Sequence, residues 1–190
     1  RLAIAERKNG DHQGAFRRSK RALELYRLRY GVDHPSTLGC AVAHSIDLRH
    51  TGDLKAAREL GEDTLNRYRR SLGENHPHTL AAAIDLAVTL RLLGEVGSAR
   101  QLDEHAFERL SAQFGPGQAH AVIATINLAS DMAALGDVRT ALELGREAAQ
   151  RAERVFGPDH PTTIAADHNV VHDLRAAGET ERAQAERAEV

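Results

Sequence analysis

The sequence predicts an all-α solenoid, in which antiparallel helix pairs stack side by side along the chain. Alanine recurs every 42 residues, at Ala15, Ala57, Ala99, Ala141 and Ala183, and glycine recurs at the same interval in two other registers. A repeat of this length indicates a solenoid, because each unit buries its apolar face only against its neighbours. The composition, 42% hydrophobic, 27% charged and 4% aromatic, suits closely packed helices and argues against disorder.

Residues 73–114 illustrate how each repeat is expected to fold. Pro77 indicates a helix start, because proline is favoured at the first position of a helix. Apolar residues at helical spacing follow until Gly94, which predicts the end of that helix. A second helix is expected over about residues 96–114, where the next glycine ends it.

The same pattern divides the chain into a single array of repeats. In the third unit Gln118-Ala119 replaces His-Pro, so its first helix is expected to start a residue or two differently. Three histidines that precede proline are expected to hydrogen-bond the turns: His34, His76 and His160. The array is a remnant over residues 1–30 and repeats over 31–72, 73–114, 115–156 and 157–190.

The last predicted helix, Thr180–Val190, is more polar than its equivalents. Glu186 stands where the preceding second helices carry leucine, at Leu60, Leu102 and Leu144. A terminal repeat needs an outer face that is compatible with water. We therefore expect a natural cap at this end, whereas the chain start matches the middle of a first helix and suggests a longer parent protein.

Charge and composition exclude several classes of function. A formal net charge of −2 gives no general attraction to nucleic acid or to anionic membranes. No apolar run approaches the roughly 20 residues of a membrane span. The single cysteine, Cys40, permits no intrachain disulfide and favours a reducing cytoplasm. No grouping of nucleophile, base and orienting residue is apparent, so we expect neither catalysis nor a cofactor.

The helix-pair pattern resembles the tetratricopeptide repeat (TPR), because a hairpin glycine is followed five residues later by alanine. Gly52 and Ala57 carry this match in the first full unit, and the later units repeat it. The linkers over 31–35, 73–77 and 157–161 resemble those of kinesin-light-chain repeats. This resemblance implies a superhelix whose first helices line a concave groove, with Asp85, Asn127 and Asn169 at groove positions.

A narrower likeness lies in residues 86–94 and 99–104. These segments resemble repeats downstream of a nucleotide-switch (STAND or NB-ARC) module in actinobacterial proteins, among them the TPR protein of FxSxx-COOH peptide systems. The resemblance implies the sensor or partner-recruiting arm of a larger protein. No phosphate-binding glycine-rich loop with lysine occurs in the chain.

Helical spacing predicts which side of each first helix faces the groove. Residues three or four apart share a face, so Ala41, His44, Ser45 and Leu48 are expected to pack inward. The opposite stripe is then expected to face the groove: Val42, Ile46 and Arg49; Ile84, Val88 and Arg91; Ile126, Ser130 and Ala133; His168, His172 and Arg175.

Two features of this stripe suggest binding. Arginine repeats in one register, at Arg7, Arg49, Arg91 and Arg175, which suggests a basic ladder for carboxylates; alternatively each arginine pairs with a nearby aspartate such as Asp47. The valines and isoleucines would form an apolar patch of the kind that marks interaction sites, unless they belong to the core.

His168 and His172 stand four residues apart on one helix, the spacing at which two histidines can hold a metal ion. Further ligands are missing from the sequence nearby, so a pH-sensitive polar end of the groove is expected instead of a metal site.

The sequence therefore predicts a non-catalytic module that binds a protein or peptide segment in the groove. The partner is expected to be acidic or to carry a free carboxylate. Self-association through the apolar groove or the N-terminal face is the alternative, and nucleic acid is disfavoured by the acidic residues interleaved along the helices.

Overall fold

The computed structural model describes residues 2–179, which form helices and connecting turns without any strand. These residues divide into two compact units, Arg1–Leu93 and Gly94–Val190. The helices of the first unit are α1 (Leu2–Lys8), α2 (His12–Tyr30), α3 (Pro35–His50), α4 (Leu54–Leu72) and α5 (Pro77–Leu92). Those of the second unit are α6 (Val96–Phe114), α7 (Ala119–Ala134), α8 (Val138–Phe156) and α9 (Pro161–Ala176).

Within each unit, consecutive helices pack against one another. In the first unit every helix contacts the next, and the leading helices α3 and α5 also touch. In the second unit α6 to α9 follow the same order, and the leading helices α7 and α9 touch. This arrangement confirms the all-α helical repeat. The single continuous array stays a prediction, and the expected cap helix over 180–190 lies outside the described residues.

The leading helices begin where the sequence predicts. His34, His76 and His160 are N-caps, and each Nδ1 accepts a hydrogen bond of 3.1–3.2 Å from the backbone N–H two residues later. At α7 the side chain of Gln118 takes this role by accepting from two backbone N–H groups. The expected shift of this start is wrong: α7 begins at Ala119, in register with Pro77, because the glutamine amide oxygen replaces the imidazole nitrogen.

The second helices end at glycines that no other residue replaces easily. Gly31, Gly73, Gly115 and Gly157 have φ between 85° and 92° and ψ between 154° and 168°. This region of backbone conformation is accessible almost only to glycine, since a Cβ atom would clash with the local backbone. These glycines therefore set the chain direction between one helix pair and the next.

The periodic alanines of the described second helices are completely buried. Ala15, Ala57, Ala99 and Ala141 are all 0% exposed. The residues predicted to face inward on α3 (Ala41, His44, Ser45 and Leu48) are likewise buried, which confirms that side of the prediction. Small side chains at these positions let the helices approach closely enough to exclude water.

The contact between a second helix and the following leading helix changes chemistry from repeat to repeat. At this position Gly61 lies under Leu86, and Gly145 lies under Val170. Between α2 and α3 the same contact is polar, with Ser19 Oγ 2.9 Å from His44 Nδ1. Large apolar side chains thus meet glycine, whereas the imidazole meets a hydroxyl.

Replacing Gly73 with alanine is expected to cost about 1–3 kcal/mol of unfolding free energy, because φ is +90° there although nothing would touch the new Cβ. Gly39→Ala is the control: Gly39 lies within α3 in ordinary helical conformation, where a Cβ would make only a van der Waals contact of 3.8 Å with Tyr68 Oη, and alanine should stabilise by about 0.5–1 kcal/mol. Urea unfolding measures both. If the two alanines changed the free energy of unfolding equally, the positive φ of Gly73 would not explain the cost.

His44 should make the chain sensitive to acid. Burial lowers the pKa of His44, which the nearby Asp47 only partly opposes. The folded chain therefore binds the proton less tightly than the unfolded chain, so stability is full above the unfolded pKa of about 6.5 and is lost as pH falls through it.

The double variant Ser19→Gly/His44→Leu recreates the pair formed by Gly61 and Leu86, and is expected to show a smaller loss of stability between about pH 7.5 and about pH 5.5. Urea unfolding at the two pH values measures this difference. A loss in the variant as large as in the parent chain would refute a role for His44.

Candidate functional site

The open side of the leading helices is a stripe of five positions that recur with the 42-residue period. Each position lies three or four residues from the next, so all five share one helical face. Nineteen of the twenty side chains are exposed or half-buried, and Asn127 is buried. We call this set the open stripe: Ser36, Gly39, Ala43, Ile46 and His50; His78, Ala81, Asp85, Val88 and Leu92; His120, Ile123, Asn127, Ser130 and Ala134; Thr162, Ala165, Asn169, His172 and Ala176.

The open stripe is rotated relative to the predicted groove face. Ile46, Val88, Ser130 and His172 belong to both sets, and the positions implied by the TPR resemblance (Asp85, Asn127 and Asn169) lie on the open stripe. The remaining predicted residues lie at its edge: Val42, Arg49 and Arg91 are half-buried, Ile84 and Ile126 are buried, and His168 and Arg175 are exposed.

Two predicted groove residues need a correction, because they are part of the interior. Ile84 is 5% exposed and Ile126 is 9% exposed. Ile126 packs in a cluster with Val122, Ala148 and Ala166, which come from α7, α8 and α9. The alternative that the predicted valines and isoleucines belong to the core therefore holds for Ile84 and Ile126. Ile46 and Val88 are only half-buried.

The arginine ladder is at least partly a set of internal links. Arg7 Nε lies 2.6 Å from Asp47 Oδ1, and Nη2 donates to the carbonyl of Ala43 at 3.3 Å. Both acceptors lie on α3, so this arginine joins successive leading helices. The sequence suggested that each arginine pairs with a nearby aspartate, but Asp47 bonds the arginine one repeat earlier, so Arg7 is engaged within the first unit.

Arg49 repeats this arrangement one unit later. Nη1 donates to the carbonyl of Asp85 at 3.2 Å and to Thr89 Oγ1 at 3.0 Å, while Nη2 lies 3.1 Å from Asp85 Oδ1. Ser45 Oγ donates to the other carboxylate oxygen at 2.8 Å. The Asp85 carboxylate is therefore held on both oxygens from α3, and the guanidinium is committed to α5.

The second unit has a neutral version of the same link. Asn169 Nδ2 donates to Ser130 Oγ at 3.2 Å, which joins α9 to α7. Polar side chains on and beside the open stripe thus tie α1 to α3 and α3 to α5 in the first unit, and α7 to α9 in the second. The floor of the stripe is polar, and Arg49, Asp85 and Asn169 on or beside it are already hydrogen-bonded within their own unit.

The histidines on α9 remain open to solvent. His168 is exposed, and His172 lies with Nδ1 3.3 Å from Asp173 Oδ1. Across the part of the chain that the structure describes, no three His, Cys, Asp or Glu side chains converge as metal ligands would. Over the same residues, no helix combines the length and apolar character needed to cross a bilayer.

A cavity of about 590 Å³ lies between α8 and α9, against Ala149, Thr163 and Ile164. The residues 126 positions earlier, Leu23, Thr37 and Leu38, line a cavity of about 140 Å³ together with residues of α4.

The link between Arg49 and Asp85 is expected to contribute to stability. In a double-mutant cycle with Arg49→Gln and Asp85→Asn, we expect a coupling of about 0.5–3 kcal/mol, because both groups are largely shielded from water. Arg139 and Glu143 form the control pair, whose side chains are 89% and 67% exposed. Their coupling should not exceed about 0.5 kcal/mol. Urea unfolding gives both, and equal couplings would contradict an internal role.

Solved structures with similar folds are helical repeat proteins. One is a protein from Podosopora anserina described as a kinesin light chain with nearly identical TPR-like repeats: 23% identity, 98% of this chain and 89% of that chain covered, TM-score 0.73. Another is BtubC (BKLC) from P. vanneervenii, with 20% identity, 99% and 78% covered and TM-score 0.74. Identities this low show the fold alone.

Sequence comparison gives the family. No curated protein matches the chain. The tetratricopeptide repeat profile matches residues 1–69, 40–112 and 121–186, which together cover most of the sequence. With the helix pairs, the hairpin glycines and the buried alanines in the same register, these matches show that the chain belongs to the tetratricopeptide repeat family.

Proposed function

We propose that this chain is a non-catalytic protein-interaction module that binds a peptide segment along the open stripe of its leading helices. TPR proteins generally act in protein–protein interaction. The observation that carries the proposal is the combination of accessible apolar side chains with a polar floor that is already hydrogen-bonded. Such a surface loses water without leaving a charge unpaired.

In the first unit the stripe offers both space and apolar contact. Gly39 and Ala43 keep the α3 side shallow, while Ile46, Val88 and Leu92 supply aliphatic surface. Leu92 is 55% exposed, and burial of such a side chain against a partner contributes about 1–2 kcal/mol. A peptide with small apolar side chains fits this surface better than a bulky polar one.

The expected preference for an acidic or carboxylate-bearing partner depends on exposed basic residues of the second unit. Arg7 and Arg49 are engaged within the first unit, so neither is available as a ligand without breaking a helix-to-helix link. On α9, Arg175, His172 and His168 are exposed. We propose that the stripe of the second unit takes the carboxylate at α9, because arginine binds carboxylates through two parallel hydrogen bonds.

On the resemblance of residues 86–94 and 99–104, we further propose that the module is the sensor or recruiting arm of a larger signalling or peptide-system protein of the cytoplasm. Self-association is the second candidate, and exposed apolar side chains of the N-terminal face such as Leu2 and Ile4 favour it. Light scattering over a concentration series separates the two, since a monomer at all concentrations counts against self-association.

A random peptide-display library selected against the chain tests the binding surface. We expect Leu92→Glu to weaken the selected peptides by about tenfold or more, because it places a charge on the apolar stripe. Val155→Glu is the matched control: Val155 lies on the second helix α8 and is also partly exposed. Peptides that bind both variants as tightly as the parent chain would place the binding surface elsewhere.

A further inference from the structure

Helix α2 differs from the other second helices in the charge of its side chains. Helix α2 carries six arginine or lysine residues and one glutamate. The corresponding numbers are five and three in α4, two and three in α6, and four and three in α8. Acidic side chains that α4 has at Glu59 and Asp63 are replaced in α2 by Arg17 and Arg21.

The same face also gains leucines where the other repeats have mostly arginine. Leu25 corresponds to Arg67, Arg109 and Arg151, and Leu28 corresponds to Arg70, Ala112 and Arg154. In α4 the arginine at the first position is bridged to Asp33 and Asp63, at 2.7 and 2.8 Å. In α2, two apolar side chains occupy the positions of this salt-bridged surface.

Position in the repeat shows that Leu28 is a surface residue. Leu28 is 84% exposed, and its equivalents in α4, α6 and α8 are also exposed. Leu25 is 48% exposed, whereas its equivalents Arg67 and Arg151 are half-buried. Tyr26 is a different case, because its equivalents Tyr68 and Leu110 are buried; its exposure carries no argument. Leu28 follows the buried Ser19 by two and a half helical turns, which places it on the opposite side of α2.

Cations surround the two leucines. Arg17, Arg18, Arg21 and Arg29 are all exposed. Within the described residues, Arg18 is bonded to Glu6 and Arg21 to Glu24; these acids are too few to neutralise the helix. The result is a small apolar patch inside a positive rim.

We propose that the outer face of α2, defined by Leu25, Leu28, Arg17 and Arg21, docks an acidic amphipathic helix of a partner protein. Leucines one turn apart fit the apolar face of such a helix, and the arginines pair with its flanking carboxylates. A second copy of the chain does not suit this face, because two α2 helices would bring like charges together. Two leucines are also a narrow anchor for a membrane, where interfacial helices insert a broad apolar face.

This site is separate from the open stripe, because it lies on a second helix and uses none of the stripe residues. The two proposals therefore fail independently. Occupation of the α2 face would leave the leading helices accessible.

A fluorescein-labelled synthetic peptide with leucine at helical spacing and flanking glutamates is the probe. We expect it to bind the parent chain, with an affinity that falls as salt is added. The double variant Leu25→Arg/Leu28→Arg installs the arginines of α4 at exposed positions, and should bind about tenfold more weakly or worse. Arg17→Glu/Arg21→Asp, which also copies α4, should do the same, and a lysine analogue of the peptide should not bind.

Leu92→Glu is the control and should leave binding of this peptide unchanged. Equal binding of the peptide by the parent chain and by both α2 variants, or no binding by the parent chain, would overturn the proposal. Vesicles of phosphatidylserine and phosphatidylcholine provide the second arm. Vesicle binding that the α2 variants abolish, in the absence of peptide binding, would also overturn it by identifying a membrane surface.

Discussion

Close packing of helices through small side chains is the constraint on which the rest of this structure depends. Ala15, Ala57, Ala99 and Ala141 have no exposed surface, and the glycines between helix pairs have a backbone conformation that few other residues tolerate. A larger side chain at these alanines would force the helices apart, since protein interiors contain little spare volume. The position of every surface residue follows from this packing.

Polar contacts between successive leading helices then decide which side chains remain for a partner. Arg49, Asp85 and Ser45 form one satisfied group within the first unit, and Asn169 bonds Ser130 in the second. Periodic polar residues in a repeat protein thus have two explanations, ligand binding and attachment to the neighbouring repeat. Here the contacts favour attachment for Arg7 and Arg49, which moves the candidate binding surface onto the smaller and more apolar side chains.

The sequence was sufficient to predict the helix pairs, their caps and the inward residues, because these depend on local chemistry repeated at a fixed interval. His34 and Gly73 are recognisable from their immediate neighbours alone. The open stripe was predicted only in part. A leading helix such as α3 or α7 contacts the second helices on both sides of it and also a neighbouring leading helix, so more than one of its faces is covered.

Long-range partners were harder to predict than faces. Arg49 meets residues 36 and 40 positions later, and that pairing depends on how far successive repeats are rotated, which periodicity does not specify. The unusual charge of α2 is visible in the sequence once the repeats are aligned. The alignment alone does not show which positions of a second helix are exposed, because neighbouring positions such as that of Tyr68 are buried. The exposure of Leu28 had to be read from the structure.

The leading helices are expected to expose the open stripe and, at Ile84 and Ile126, to bury residues of its edge. Methyl NMR of the six isoleucines with a soluble gadolinium chelate tests this directly. Ile46 and Ile123 lie on the open stripe, so their δ1 methyl groups should relax strongly, whereas those of Ile84 and Ile126 should be protected. Equal relaxation of all four methyl groups would contradict the claim and would restore the groove face expected from helical spacing alone.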